Sequence, residues 1–213
     1  MVAGTEGQRY LAATEAFFAA KAAGWEKRFP DDAPAYRQAI AELAPRVGGV
    51  VLDAGCGTGR ALPALRDAVG PSGAVIGVDV TAAMLTEAGR LGRRAAGALV
   101  RGDTGQLPLP DGAADAVFAA GLLPHCPDLA AALLELARVT RVGGRVAIFH
   151  PIGRAALATR HGNVPSDEDA VAPRRLTPAL EATGFRLVLI DDSEHRFLAL
   201  AERSRRKASP PLS

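Results

Sequence analysis

Apolar positions along this chain change their period near residue 50. Before it, Tyr10, Leu11, Phe17 and Phe18 fall close to one helical stripe. Ala35 to Leu43 repeats that spacing after a break at Phe29-Pro30-Asp31-Asp32. Beyond residue 50, short apolar runs alternate with helical patterns. The runs predict strands at Val50–Asp53, Ala74–Val78, Ala98–Arg101, Asp115–Ala120, Arg145–Phe149, Arg186–Ile190 and Phe197–Ala201. Thr81 reads as the cap of a helix carrying Met84 and Leu85, and Asp128 as the cap of one carrying Leu129, Leu133, Leu136 and Val139. Gly143-Gly144 is expected to end that second helix. Thr177-Pro178, with Gly184 behind, predicts cap, first-turn proline and C-terminal glycine of a short helix. Alternation of this kind predicts an α/β fold: a doubly wound, mostly parallel sheet of seven strands over residues 46–202. Residues 1–45 are expected to form an N-terminal helical cap or lid, and residues 203–213 a frayed tail. His161 to Arg175 is polar and poorly patterned, either a lid or a plain surface loop.

The junction of the first strand with its helix is the most specific stretch: Val50-Val51-Leu52-Asp53-Ala54-Gly55-Cys56-Gly57-Thr58-Gly59. Glycines serve where a ligand approaches the backbone closely and the turn needs dihedrals that a Cβ disfavours. A dinucleotide fingerprint, G-x-G-x-x-G, would put its third glycine at Arg60. The spacing is instead D-x-G-x-G-x-G. A dehydrogenase is disfavoured further because Tyr10 and Tyr36 both precede the turn, leaving no downstream tyrosine–lysine pair to relay a proton.

Bulk properties narrow the class. The 213 residues suffice for one domain with a substantial core, and 48% hydrophobic with 23% charged residues fits a soluble globular protein. No apolar run approaches the roughly twenty residues of a membrane span, and the first residues lack a signal-peptide layout. With only two cysteines, Cys56 and Cys126, a structural disulfide is not expected and a cytoplasmic location is. A net charge of +2 does not argue for nucleic acid, and Arg203-Ser204-Arg205-Arg206-Lys207 is the one clear basic cluster.

From the LDAGCGTG string onward, the order of features resembles the class I S-adenosylmethionine-dependent methyltransferases, of the small single-domain bacterial type, over roughly residues 45–202. Leu107-Pro108-Leu109-Pro110-Asp111-Gly112-Ala113-Ala114-Asp115-Ala116-Val117 is close to the family's LPFPDGSFDVV stretch. Gly121 to Leu129 resembles its post-strand loop, and Leu136 to Arg145 its REIARVLKPGGRL helix and turn, with Val142 where proline is common. The resemblance implies a Rossmann-like methyltransferase fold and S-adenosylmethionine as cofactor, with S-adenosylhomocysteine as product. It implies a cofactor site of Asp53, Gly55, Cys56, Gly57, Gly59, Asp79, Val80, Met84, Gly102, Asp103, Thr104 and Ala120. Asp79 would accept the ribose hydroxyls or else cap a helix. Asp103 would face the adenine amino group or else make an ordinary turn. Asp53 would orient the glycine turn, contact the ligand, or do both. Asp115 reads as structural.

Methyl transfer from a sulfonium needs positioning more than a catalytic triad, and the sequence shows no triad. His125, in the loop after the fourth strand, is the candidate general base; the alternative is packing beside the cofactor. His150, at the end of the fifth strand, is a candidate for the acceptor pocket, as are Trp25 and Phe29, which either cover the site or staple the N-terminal helices to the sheet. His161 and His195 read as surface residues, and no cluster has metal-ligand spacing. The acceptor is expected to be a small molecule selected by residues 8–37 and 151–176. An RNA or protein methyltransferase, or a noncatalytic adenosyl-ligand binder, are the alternatives.

Overall fold

The computed structural model describes residues 6–28 and 32–204. Two N-terminal helices, α1 (Glu6–Ala19) and the single turn α2 (Trp25–Arg28), precede α3 (Ala33–Leu43). The chain then alternates through β1 (Val50–Ala54), α4 (Leu62–Val69), β2 (Ala74–Asp79), α5 (Ala82–Arg90), β3 (Ala98–Arg101) and β4 (Ala114–Ala120). There follow α6 (Leu129–Val139), β5 (Thr140–His150), α7 (Arg154–Arg160), α8 (Pro173–Ala182), β6 (Phe185–Asp192) and β7 (Phe197–Arg203). The seven strands form one sheet in the order β3-β2-β1-β4-β5-β7-β6. Pairings from β3 to β5 are parallel, and β7 runs antiparallel between β5 and β6.

Val51, Leu52 and Ala54 of β1 are fully buried because helices cover both faces of the sheet; a strand in that position reads as a continuous apolar run. One face packs Leu133 and Leu136 of α6 and Leu176 and Leu180 of α8 against Val117, Val146 and Ala199. The other packs Ile40 and Leu43 of α3 and Leu62 and Leu65 of α4 against Phe118, Phe149 and Leu198. The chain leaves β1 outward to β2 and β3, then crosses back to β4 on the other side. This switch point opens a crevice outside the carboxyl ends of β1 and β4, the place where open α/β sheets bind ligands.

Several local expectations are corrected. Asp128 does cap α6, accepting from the Ala131 N–H at 3.0 Å, but Thr81 makes no side-chain cap bond to α5. Helix α6 ends at Val139 rather than at Gly143-Gly144, because Thr140 turns to an extended ψ of 126° and starts β5, with its N–H and hydroxyl both on the Leu136 carbonyl. The two glycines lie instead in β5, whose register with β4 shifts between the Ala114–Thr140 and Ala116–Arg145 pairs. Helix α8 starts at Pro173, which leaves Pro178 in its interior. An interior proline costs about 3 kcal/mol. Leu176 and Leu180, fully buried on one face, each return roughly 1.5–3 kcal/mol, so the longer helix prevails. Residues 161–172 form a loop pinned by Arg154, which reaches the Ser166 carbonyl at 2.7 Å and Asp169 at 2.9 Å. β7 continues through Arg203, whose guanidinium donates to the carbonyls of Ala137 and Gly184 at 2.9 Å; the tail expected beyond Ser204 lies outside the described residues.

Candidate functional site

At the crevice the chain forms a concave pocket of about 140 Å³, the kind of place where small molecules bind. Its floor is the glycine turn. Gly57 has φ +52°, and a Cβ built there would meet nothing within 4 Å, so this residue presents bare backbone to the pocket. Asp79, at the end of β2, braces the turn. Its Oδ2 accepts the Gly57 N–H and its Oδ1 the Thr81 N–H, both at 2.8 Å. The Thr81 hydroxyl bonds to the carboxylate as well, and of its roughly four acceptor positions one stays open to a further donor. Burial raises the Asp79 pKa, and the Thr81 and Gly57 N–H groups restrain the rise.

Asp53 lies deeper, 2% exposed, with Oδ2 buried and without a hydrogen-bond partner. Its pKa is pushed up to about 8, first by burial and then by the charge of Asp79. Beyond β3, Asp103 accepts the Gly105 N–H at 2.7 Å, closing a tight turn at the rim.

The roof is made of side chains from the N-terminal helices. Phe18 sets its ring edge-to-face against His125 at 4.9 Å and against Trp25 at 5.6 Å. Tyr36 of α3 packs on Phe149 at 5.1 Å, with the Arg60 guanidinium over its ring at 5.8 Å. Ion pairs tie this roof to the floor: Glu15 with Arg101 at 2.8 Å, Asp32 with Arg60 at 3.3 Å, and Glu26 with Arg93 at 3.6 Å. Glu26 also accepts the Thr58 hydroxyl at 2.6 Å. His125 has its pKa lowered, by burial above all and then by His150, so its imidazole is neutral at pH 7.

The structure brings Asp53, Gly55, Cys56, Gly57, Asp79, Val80, Met84, Asp103, Thr104, Ala120, Trp25 and His125 around this one pocket. Three candidates stand outside its lining. A Cβ on Gly59 would meet Leu62 at 2.8 Å, and one on Gly102 would meet Pro108 and Val78 at 3.1 Å, so both glycines permit close packing. His150 borders a separate chamber, with Nδ1 engaged by the Ile152 backbone, 2.8 Å from its carbonyl oxygen. Phe29 lies outside the described residues. Asp115 is structural: Oδ2 accepts the Val50 N–H at 2.7 Å and Oδ1 pairs with Arg141 at 2.6 Å.

Sequence reasoning missed Leu11, Phe18, Tyr36, Thr58, Arg60 and Leu122, all of which line the pocket. Arg60 and Thr58 carried a usable signal, being embedded in the glycine turn. Among the described residues no group of three or more His, Cys, Asp or Glu is arranged to hold a metal ion, and no helix is long and apolar enough to cross a membrane.

Residues 52–148 match a family model described as a methyltransferase domain. Over 117 residues the chain is 40% identical to a 2-phytyl-1,4-naphtoquinone methyltransferase of Synechococcus elongatus, covering 53% of this chain and 50% of that protein. The middle of the chain, residues 52–148, is thus similar to a methyltransferase domain. The chain is also 34% identical over 146 residues to the nocamycin O-methyltransferase of Saccharothrix syringae, covering 66% of its own length and 52% of the relative. It spans about half the length, or less, of the curated relatives it matches. A solved S-adenosylmethionine-dependent methyltransferase from Aquifex aeolicus superposes with a TM-score of 0.67 at 24% identity, over 79% of this chain and 89% of that one, a likeness of fold.

Proposed function

We propose that this chain transfers a methyl group from S-adenosylmethionine to a small organic acceptor. The observation that carries the reading is the division of one pocket between a floor of backbone and carboxylates and a roof of aromatic side chains. Two features of the floor fit an adenosyl ligand. Gly57 leaves room where any side chain would intrude, and Asp53 holds a buried oxygen that no protein group satisfies. Buried polar atoms are normally paired, so an orphan at a pocket floor marks where a ligand or ordered water donates. Asp79 offers its open acceptor position to a ribose hydroxyl, Asp103 faces the adenine side, and Val80 and Met84 supply apolar contact.

Bound there, S-adenosylmethionine supplies an electrophilic methyl carbon on a positively charged sulfur. The chain's own part is to orient and exclude water. Phe18, Trp25 and Tyr36 close over the acceptor, and holding it in line supplies roughly 7–11 kcal/mol of the barrier. His125, neutral and at the pocket wall, takes a proton only from an acceptor that arrives protonated.

The test is calorimetry with S-adenosylhomocysteine, followed by a screen of small acceptors with methyl-labelled cofactor. Binding together with label transfer to a small molecule is the expected result. Label that enters only RNA or protein would favour the macromolecular alternative. Binding without transfer to any acceptor would favour a noncatalytic adenosyl-ligand binder, and absence of binding would overturn the reading.

A further inference from the structure

Behind the pocket lies a second space that the chemistry above does not use. It is a small cavity of about 40 Å³ between the carboxyl end of β5, the turn Leu123–His125 and α7, and its walls are chiefly Leu122, Leu123, Ile148, Ile152, Leu157 and Val171. Its two polar borders are engaged elsewhere, apart from the Arg154 Nε, which is buried without a partner. His150 engages the Ile152 backbone, and Arg154 pairs with Asp169 at 2.9 Å and Asp192 at 3.0 Å. The chamber is therefore an apolar one.

Its position matters more than its size. Leu122 lines both this chamber and the main pocket, so the two spaces adjoin across it. On the far side Leu123, Leu157 and Val171 also line an open groove of about 460 Å³. Pocket, chamber and groove thus run in series from the glycine turn to the outer face of α7. Protein interiors are close-packed, and an apolar space at the end of a binding pocket is where an apolar part of the ligand gains contacts. At about 40 Å³ the chamber is much narrower than the 140 Å³ pocket, which suits a chain and not a ring.

We infer that the chamber is a tail subsite: the acceptor carries a hydrocarbon chain that passes Leu122 and Leu157 while its reactive head stays under Phe18 and His125. This deepens the methyl-transfer reading and rests on it. Segment 152–171 then selects the acceptor by the length of its chain.

A series of 4-alkylphenols from ethyl to decyl, titrated into the purified full-length chain with and without S-adenosylhomocysteine, reads the subsite directly. Burying one methylene strengthens binding about fourfold. Affinity should climb by about that factor per carbon and level off where the chain emerges into the groove. Leu157→Trp should flatten the series beyond the shortest members while leaving 4-ethylphenol and S-adenosylhomocysteine affinity within about twofold. Val171→Trp, on the loop, blocks the same space from another element, and melting curves report whether each variant folds. A flat wild-type series would overturn the inference, as would folded tryptophan variants that keep the climb. A protein that binds the phenols with the expected climb but never S-adenosylhomocysteine would sink the methyl-transfer reading and leave the chamber's apolar specificity standing. A protein that binds S-adenosylhomocysteine with a flat phenol series would do the reverse.

Discussion

The floor and the roof of the pocket are held by different forces. On the floor, position is set by backbone: the positive φ of Gly57, hydrogen bonds of 2.8 Å from Gly57 and Thr81 to Asp79, and strands buried on both faces. On the roof, position is set by side chains: Phe18, Trp25 and His125 meet edge to face, and the tethers are ion pairs at the pocket rim. A backbone-defined surface tolerates few substitutions, because each changes the turn itself. A side-chain-defined surface can be rebuilt residue by residue with the sheet intact. The floor suits a ligand that never changes, and the roof one that differs from enzyme to enzyme.

The sharpest way to break this comparison is Gly57→Val. Valine at φ +52° is strained by about 1–3 kcal/mol, and its methyl groups would enter the pocket. S-adenosylhomocysteine affinity is expected to fall more than about 100-fold by calorimetry, with a melting transition still present. A folded variant with near wild-type affinity would show that the floor does not touch the ligand.

Asp79→Ala comes next. Loss of a charge-assisted hydrogen bond costs about 1.5–3 kcal/mol, so affinity should weaken tenfold or more. The substitution also frees the Gly57 and Thr81 N–H groups, so Asp79→Asn is the companion: it keeps an acceptor but supplies only one oxygen. Unchanged affinity in both folded variants would assign Asp79 to bracing the turn alone.

The same contrast explains what could be read from sequence. The strand–turn–helix of β1 was legible because a doubly buried strand has a continuous apolar run and its turn demands glycine at particular positions. Asp115 was legible as a structural residue because it opens a packed strand. The start of α8 was not, since Ala172-Pro173 and Thr177-Pro178 both offer a first-turn proline, and only the burial of Leu176 and Leu180 decides between them. Phe18 and Tyr36 look like ordinary stripe residues in the sequence. Their place over the pocket depends on how α1 and α3 lie on the sheet, a long-range outcome no local pattern encodes. Arg60 was in view but lay outside the glycine logic, and its pairing with Asp32 spans two elements.

On the roof, His125→Ala is expected to have the milder consequence. A general base contributes about 10²–10⁴-fold to the chemical step, whereas a packing residue contributes less. His125 is held against Phe18, and its ring is already neutral at pH 7, so we expect a loss below about 100-fold in single-turnover transfer with cofactor affinity retained. A larger loss, with a wild-type rate that falls as pH drops through a value below 6.5, would make it the base.

The last test concerns Asp53 and is read in stability alone, which separates floor chemistry from floor shape. Its folded pKa of about 8 lies above the ordinary 3.8, so between those values the folded protein keeps a proton that the unfolded chain releases. The stability this contributes is full below about pH 4, declines as pH rises, and is gone above about pH 8. Asp79 shares the burial and the like charge, so the slope belongs to the pair, and removing one member also relieves the other. Asp53→Asn therefore should lose stability less steeply than wild type between pH 5 and pH 9, and its melting curve should gain on wild type across that interval. Parallel curves would mean that Asp53 stays ionised in the folded protein. Its unpartnered oxygen would then be a bare anionic acceptor, which strengthens the case for a ligand or ordered water donating there.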